Sequence, residues 1–214
     1  MRSADVVEAI RVAMIVLVAY LIIAKFNSIA VVIILAIAFL LDAIDGYFAV
    51  YEQSNGRMGF ITYLSSMAGN RRAKAQLAKY KSGISKTAFY GPRMDVAGDR
   101  ITEYVLFAVF VYLNIMPLFV FFVVIIVHSV ADAMFGAKGT SSKMKSRFAE
   151  LVYSSNIGRG SINVIKVVTF AYLSLVYLSN WPIQLGYALA GILVTCITLR
   201  GIAEIYESIE SNKK

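Results

Sequence analysis

The stretch "SIAVVIILAIAFLLDAIDGYFAV", residues 28–50, sets the class of fold. It is long and apolar enough for an α-helix that crosses a bilayer, which needs about 20 residues. Two aspartates, Asp42 and Asp45, interrupt it near its end. A bare carboxylate in such a setting costs several kcal/mol unless something positive lies beside it. The stretch therefore predicts a membrane helix with a charged site near one end.

The rest of the chain is apolar in the same way. Of its 214 residues, 59% are hydrophobic, against roughly 45–50% in soluble domains. The single cysteine, Cys196, lies in an apolar run, so a disulfide framework is excluded. The opening "MRSADVVEAIR" carries two acids and no small-residue cleavage site follows it, which predicts a retained helix. We expect one all-α integral membrane domain over residues 1–214.

Apolar windows predict six transmembrane helices. They fall at about 10–26, 28–50, 94–113, 115–136, 161–179 and 183–203. Two connections, 51–90 and 137–160, are long and rich in lysine and arginine, and only Lys25 lies in a connection on the other side. Because basic residues concentrate on the cytoplasmic side, we expect both termini and both long loops there. Attraction to anionic membrane lipids explains the loop charges, so no nucleic acid is needed as a partner.

Four aspartates lie near that cytoplasmic face. Asp42 and Asp45 are three residues apart at the end of the second predicted helix, and Asp95 and Asp99 are four apart at the start of the third. Both spacings place each pair on one helical face, and we expect the two pairs to face each other. Four carboxylates repel one another unless cations neutralise them. A hard divalent ion held by oxygen atoms, such as Mg²⁺, is the simplest compensation.

Glycines accompany the aspartates. Gly46 and Gly91 would let a ligand approach the backbone closely, and Gly98 would let another helix pack against the third. In the alternative, the aspartates only form ion pairs with Arg93 and Arg100. Helical spacing and flanking glycines are more than two structural ion pairs require.

The segments "DAIDGYFA" (42–49) and "GPRMDVAGD" (91–99) resemble the signature of the CDP-alcohol phosphotransferase family. That signature is D-x-x-D-G-x-x-A-R, a short connection, and G-x-x-x-D-x-x-x-D. The chain departs from it at Val50, where the family has arginine, and in the longer connection 51–90. We expect a peripheral cytoplasmic insertion over about 51–80. The segment "AKYK" (78–81) resembles the missing Ala-Arg pair, and we expect Lys79 or Lys81 to supply the missing charge.

The resemblance implies an enzyme of phospholipid synthesis. Such an enzyme transfers a substituted phosphate, of the phosphatidyl type, from a CDP-linked lipid donor to an alcohol and releases CMP. It would be a homodimer in the cell membrane, with its active site facing the cytoplasm and two Mg²⁺ or Mn²⁺ ions as cofactors. The metal ligands would be Asp42, Asp45, Asp95 and Asp99, with Asp99 also the catalytic general base. The CDP moiety would lie against Asp42, Asp45, Gly46, Ala49, Gly91, Lys79 and Lys81.

The second basic loop is the expected acceptor site. It carries Lys143, Lys145, Arg147 and Arg159 close to the predicted opening, and clustered arginines suit phosphate recognition. A phosphorylated alcohol such as inositol phosphate or glycerol phosphate is therefore the expected acceptor. The alternative is that these charges serve membrane topology alone.

The remaining intramembrane polar residues have open roles. Glu103, one turn after Asp99, is expected to be structural, as is a polar pair of His128 and Asp132. Arg11 and Lys166 lie either at the membrane interface or near the nucleotide.

Two other classes of protein compete with the enzyme. A secondary transporter or cation channel would place its acids at mid-depth and show internal symmetry. A non-catalytic family member acting as a membrane scaffold would fit the departure at Val50.

Overall fold

The computed structural model describes residues 3–54, 57–67, 70–82, 91–136 and 156–211. These residues form eight α-helices and no strand, which confirms the all-α prediction for this part of the chain. The helices are α1 (Ser3–Ile23), α2 (Ser28–Gln53), α3 (Phe60–Met67), α4 (Arg71–Ser82), α5 (Gly91–Tyr112), α6 (Leu118–Gly136), α7 (Asn156–Ser179) and α8 (Ile183–Ser211).

A helix lies over each of the six predicted apolar windows. Four helices contain segments long and apolar enough to cross a membrane, namely Asp5–Ile23, Ser28–Glu52, Ser161–Ser179 and Ile183–Glu210. The apolar part of α6 is shorter, Leu118–Met134, and the first turns of α5 carry charged residues that lower its apolar character. The chain is thus a helical membrane protein whose described residues include four helices of spanning length and composition, and the count of six stays a prediction.

Three tight turns join consecutive long helices, as the short connections in the sequence predict. Each contains a residue with positive φ, which is Lys25 (53°), Asn114 (58°) or Asn180 (53°). Asparagine is enriched in this left-handed region. After the first turn, the Asn27 side chain accepts hydrogen bonds from the backbone N–H groups of Ile29 and Ala30, at 3.0 and 3.1 Å. This cap satisfies donors that the start of α2 would otherwise leave without partners.

The described helices fall into two compact units. The first comprises residues up to Tyr20 together with those from Ile33 to Glu103, and the second comprises Leu21–Val32 and the residues from Tyr104 onward. Described residues of α1, α2, α3, α4 and the start of α5 therefore belong to the first unit. This unit contains the two aspartate pairs and the insertion.

The second unit has an aromatic core. The Phe170 ring of α7 packs against Phe107 and Phe110 of α5, with ring centroids 5.3 and 6.2 Å apart. Helix α8 packs against both α6 and α7. At Gly201 in α8, an added Cβ would overlap the Val127 side chain of α6, so the missing side chain is what permits this close helix packing.

Candidate functional site

Two of the four motif aspartates meet at one arginine. Asp42 of α2 and Asp99 of α5 both form ion pairs with Nη1 of Arg11, a residue of α1. The Arg11 guanidinium donates a hydrogen bond to Oδ1 of Asp99 at 3.0 Å. The carboxylates of α2 and α5 thus converge, as the spacing of the aspartates predicts.

Arg11 is buried and has a third acidic neighbour. Its side chain is 2% exposed, and its Nη2 lies 2.6 Å from Oε1 of Glu8, which is 3% exposed. Three carboxylates, those of Glu8, Asp42 and Asp99, thus meet at one guanidinium.

Gly98 makes room for this cluster. A Cβ at position 98 would overlap the Glu8 carboxylate and would lie 2.9 Å from Nη2 of Arg11. The bare backbone of α5 therefore lets the polar pair of α1 reach the aspartates. The prediction that another helix packs at Gly98 is confirmed, and that helix is α1.

Replacing Gly98 by alanine should disturb the cluster. Inserting a methyl group into a filled space costs typically about 1–3 kcal/mol, so we expect Gly98→Ala to lower the thermal unfolding temperature of the purified protein. Gly191→Ala is the matched control, because a Cβ there would have no neighbour within 4 Å. Alanine also has the higher helix propensity, so the control should be neutral or stabilising. Equal unfolding temperatures for the two variants would contradict this packing.

From the sequence, Arg11 is expected either at the membrane interface or near the nucleotide. In the structure it lies in the acidic cluster. One signal pointed to this position. Glu8 and Arg11 are three residues apart, which puts them on one face of α1, and they lie at the predicted cytoplasmic end of the first apolar window. Two opposite charges there form a polar face at the depth of the aspartates. What the sequence does not reveal is the contact itself, which also depends on Gly98 in a distant helix.

The other predicted site residues are only partly described. Asp45 and Ala49 lie on α2, Gly91 and Asp95 on α5, Lys81 on α4 and Arg159 on α7, but their side chains lie outside the described part. Lys143, Lys145 and Arg147 lie outside the described residues altogether. The acceptor site therefore stays a prediction.

The described ranges contain no group of three or more His, Cys, Asp or Glu side chains placed to hold a metal ion. Asp42 and Asp99 supply two converging carboxylates, and the side chains of the other two motif aspartates lie outside the described part. Carboxylate oxygens are the ligands that Mg²⁺ and Mn²⁺ prefer. The carboxylate oxygens of Asp42 and Asp99 are therefore of the chemical kind that binds a hard divalent cation.

The insertion packs against the end of α2. Val50, Met58 and Tyr63 form a buried cluster, against which Tyr47 and Leu77 pack. Residues 57–67 thus pack against the end of α2, and the expectation that the insertion is a peripheral addition stays a prediction. Their apolar side chains cover α2 where the motif departs from the family pattern. Val50 is only 4% exposed, so it serves as a core residue beneath α3.

Helix α4 places its two candidate lysines differently. Leu77 packs toward the cluster of Val50, Met58 and Tyr63. Lys79 is exposed and follows Leu77 by two residues, which places it on the opposite face of the helix. Position 81 follows Leu77 by four residues and so lies on the same face. The helical register therefore favours position 81 over position 79 for a contact near α2.

The remaining polar candidates are buried in their helices. Lys166 is buried in α7, which places it inside the second unit, and its role stays a prediction. The imidazole ring of His128 lies against the Tyr104 ring, with centroids 5.8 Å apart. Glu103 is buried in α5. A structural role for Glu103 and for a His128–Asp132 pair stays a prediction.

Taken together, the described helices and the Arg11 cluster define a helical membrane protein with a partly buried acidic cluster in its first unit. No protein-family model, curated protein or solved structure matches the chain. The likeness to a family consequently rests on the motif residues alone.

Proposed function

We propose that this protein is a metal-dependent CDP-alcohol phosphotransferase, which transfers a phosphatidyl-type group from a CDP-linked lipid to an alcohol and releases CMP. The observation that carries the proposal is the convergence of Asp42 and Asp99 at Arg11. These are the first and last aspartates of the motif, and they come from two different helices.

The proposed chemistry divides the aspartates into ligands and a base. Asp42, Asp45 and Asp95 would hold two divalent ions, with Asp99 beside them. When bound, the ions would neutralise the pyrophosphate of the donor and stabilise the departing CMP. Asp99 is the more exposed of the two motif aspartates with described side chains, 31% against 16% for Asp42, which favours Asp99 as the one that meets the alcohol.

Asp99 then accepts a proton from the acceptor hydroxyl. As it does so, the acceptor oxygen forms a bond to the β-phosphorus, and the bond from that phosphorus to the bridging oxygen breaks, so that CMP leaves. Arg11 acts as a positioning residue in this scheme. Its Nη1 contacts both Asp42 and Asp99, which fixes the two carboxylates relative to each other before substrate arrives.

The membrane setting supports a lipid donor. The acyl chains of the donor can stay among the apolar helices while its headgroup reaches the charged ends of α2 and α5. We place the enzyme in the cell membrane as a six-span homodimer, with the site facing the cytoplasm. A water-soluble phosphorylated alcohol would reach Asp99 from that side.

The direct test is a product assay. The purified protein is incubated with CDP-diacylglycerol, Mg²⁺ and a panel of alcohols that includes inositol phosphate and glycerol phosphate, and CMP release is measured. Alcohol-dependent release of CMP supports the enzyme. If CDP-diacylglycerol binds and no alcohol gives CMP, the protein is instead a non-catalytic membrane scaffold. Cation flux into protein-containing vesicles, with no binding of the CDP-lipid, would identify a transporter or channel.

Activity should require a divalent ion. The donor brings a negatively charged pyrophosphate to the motif aspartates, and a divalent ion would offset that repulsion, so we expect turnover to stop in excess EDTA. Turnover should return when Mg²⁺ or Mn²⁺ is added back, and its rate is followed by CMP release. Full turnover in the presence of chelator would remove the metal from the mechanism.

A lysine of α4 should contribute to donor binding. Loss of a charge-assisted hydrogen bond costs roughly 1.5–3 kcal/mol, or about one to two orders of magnitude in affinity. We expect a loss of this size for Lys81→Ala and a smaller one for Lys79→Ala, measured by titration with CDP-diacylglycerol. Arg72→Ala, an exposed position on the opposite face of the same helix, is the control. Equal losses in all three variants would mean that only the general positive charge of α4 matters.

A further inference from the structure

Helix α3 of the insertion brings a tyrosine hydroxyl to the aspartate motif. A Cβ built on Gly46 would lie 2.6 Å from the Tyr63 hydroxyl oxygen and 3.7 Å from its Cζ. The first distance is too short for a real side chain, so the hydroxyl fills the space that the glycine leaves. Tyr63 is 6% exposed, which means that its ring is held within the fold while its polar end reaches α2.

The hydroxyl lies one turn beyond Asp42. Gly46 follows Asp42 by four residues, so both lie on one face of α2 and are about 6 Å apart along the helix axis. Val50 follows Gly46 by another four residues and is buried against Tyr63. Because helical side chains lean toward the N-terminus, a long side chain at position 50 would extend toward Gly46. The Tyr63 oxygen lies at that place.

The segment around α3 is fixed in position by hydrogen bonds. The Met58 backbone N–H donates to the Ser54 hydroxyl at 2.9 Å, and the Tyr47 hydroxyl donates to the Met58 carbonyl at 3.3 Å. The Ser66 hydroxyl donates to the Tyr63 carbonyl at 2.6 Å. A group held in this way is preorganised for a ligand, because binding does not have to order it.

We propose that Tyr63 is a donor-binding residue, whose hydroxyl forms a hydrogen bond with a phosphate or ribose oxygen of the CDP-linked donor beside Gly46. The inference rests on the proposed function and deepens it. It assigns to the insertion the polar contact that Val50 cannot make. A phenolic hydroxyl can donate or accept a hydrogen bond, and it does so here without adding a positive charge.

The main test compares Tyr63→Phe with the wild type in full-length purified protein. Removing this hydrogen bond should raise the dissociation constant and the KM for CDP-diacylglycerol, about tenfold or more where the partner is a charged phosphate and less where it is the ribose. The value of kcat should not change, because the contact is made equally in the ground state and the transition state. Tyr51→Phe is the control. Tyr51 is 39% exposed, and its ring centroid lies 5.6 Å from that of Tyr47. Removing the Tyr51 hydroxyl should leave the dissociation constant and the KM unchanged.

A second test checks the position of the hydroxyl without any substrate. Gly46→Ala should lower the unfolding temperature, because the new methyl group meets the Tyr63 oxygen. In the Tyr63→Phe background, the same glycine substitution should lower the unfolding temperature by less than in the wild type, since the next nearest atom lies at an ordinary contact distance of 3.7 Å. An equal loss in both backgrounds would show that the hydroxyl is not beside Gly46, and would overturn the inference.

The outcomes separate this inference from the proposed function. If the wild type binds the CDP-lipid and Tyr63→Phe binds it equally well, the contact does not exist and only the role of Tyr63 is refuted. Tighter binding by Tyr63→Phe would also refute the role of Tyr63. It would indicate that the Tyr63 hydroxyl on α3 occupies space that the donor needs. If the wild type neither binds CDP-diacylglycerol nor releases CMP from it, the proposed function fails, and the donor contact fails with it.

Discussion

Asp99→Asn is expected to lower kcat by about two to four orders of magnitude, the usual contribution of a general base, while the variant still binds the CDP-linked donor. Asparagine has nearly the size of aspartate but cannot take a proton from the acceptor hydroxyl. Its side-chain oxygen can still accept the hydrogen bond that Arg11 donates to Oδ1 of Asp99. The position of α5 should therefore be preserved. CMP release gives kcat, and calorimetric titration with CDP-diacylglycerol gives donor affinity.

Asp95→Asn provides the contrast. As a proposed metal ligand, Asp95 should be needed for Mn²⁺ binding, which is measured directly by electron paramagnetic resonance of the free ion. Asp132→Asn makes the same chemical change outside the motif and should leave kcat unchanged. If Asp95→Asn and Asp99→Asn lose metal binding and turnover to the same degree, the division between ligand and base is wrong.

The helices and the meeting of the aspartates could be predicted from the sequence for a simple physical reason. A helix that crosses a bilayer requires a long apolar stretch, and such a stretch can be recognised in the sequence before the fold is known. Spacings of three and four residues fix a helical face, so Asp42 and Asp99 could be expected to converge if their helices are adjacent. The number of spans is harder to read. In α5 the charged residues of the site occupy the first turns. These residues lower the hydropathy of the helix, so it is harder to recognise as a membrane span.

Arg11 and Val50 show what the sequence could not supply. The contact between Arg11 and the aspartates depends on a missing side chain at Gly98, far away in the chain. When only its own segment is considered, Val50 is a position where the arginine of the family signature is missing. Its burial depends on Met58, Tyr63 and Leu77, which lie on separate elements of the insertion. Short helices with a few apolar residues carry little periodicity, so their packing partner is not evident before the fold is known.

Arg11→Ala is expected to have the largest effect on stability. Removing one partner of a buried ion pair costs about 3–5 kcal/mol, because the remaining charges stay buried without their counterion. Here the loss would leave Glu8, Asp42 and Asp99 close together without the guanidinium that joins them. The measurement is thermal unfolding of the purified protein in EDTA. Arg57→Ala removes an exposed arginine, and surface changes of this kind usually stay within about 0.5 kcal/mol.

The same variant tests whether the cluster binds divalent ions. A ligand that binds only the folded state stabilises it in proportion to its occupancy, and without Arg11 the carboxylates have more negative charge to offer. We therefore expect added Mg²⁺ to raise the unfolding temperature of Arg11→Ala by more than it raises that of the wild type. Arg11→Lys keeps one positive charge but cannot contact several carboxylates with a planar fork, so its response should be intermediate. If Mg²⁺ leaves the unfolding temperature of Arg11→Ala unchanged, the acidic cluster is a structural ion-pair network, and the metal-dependent mechanism loses its physical basis.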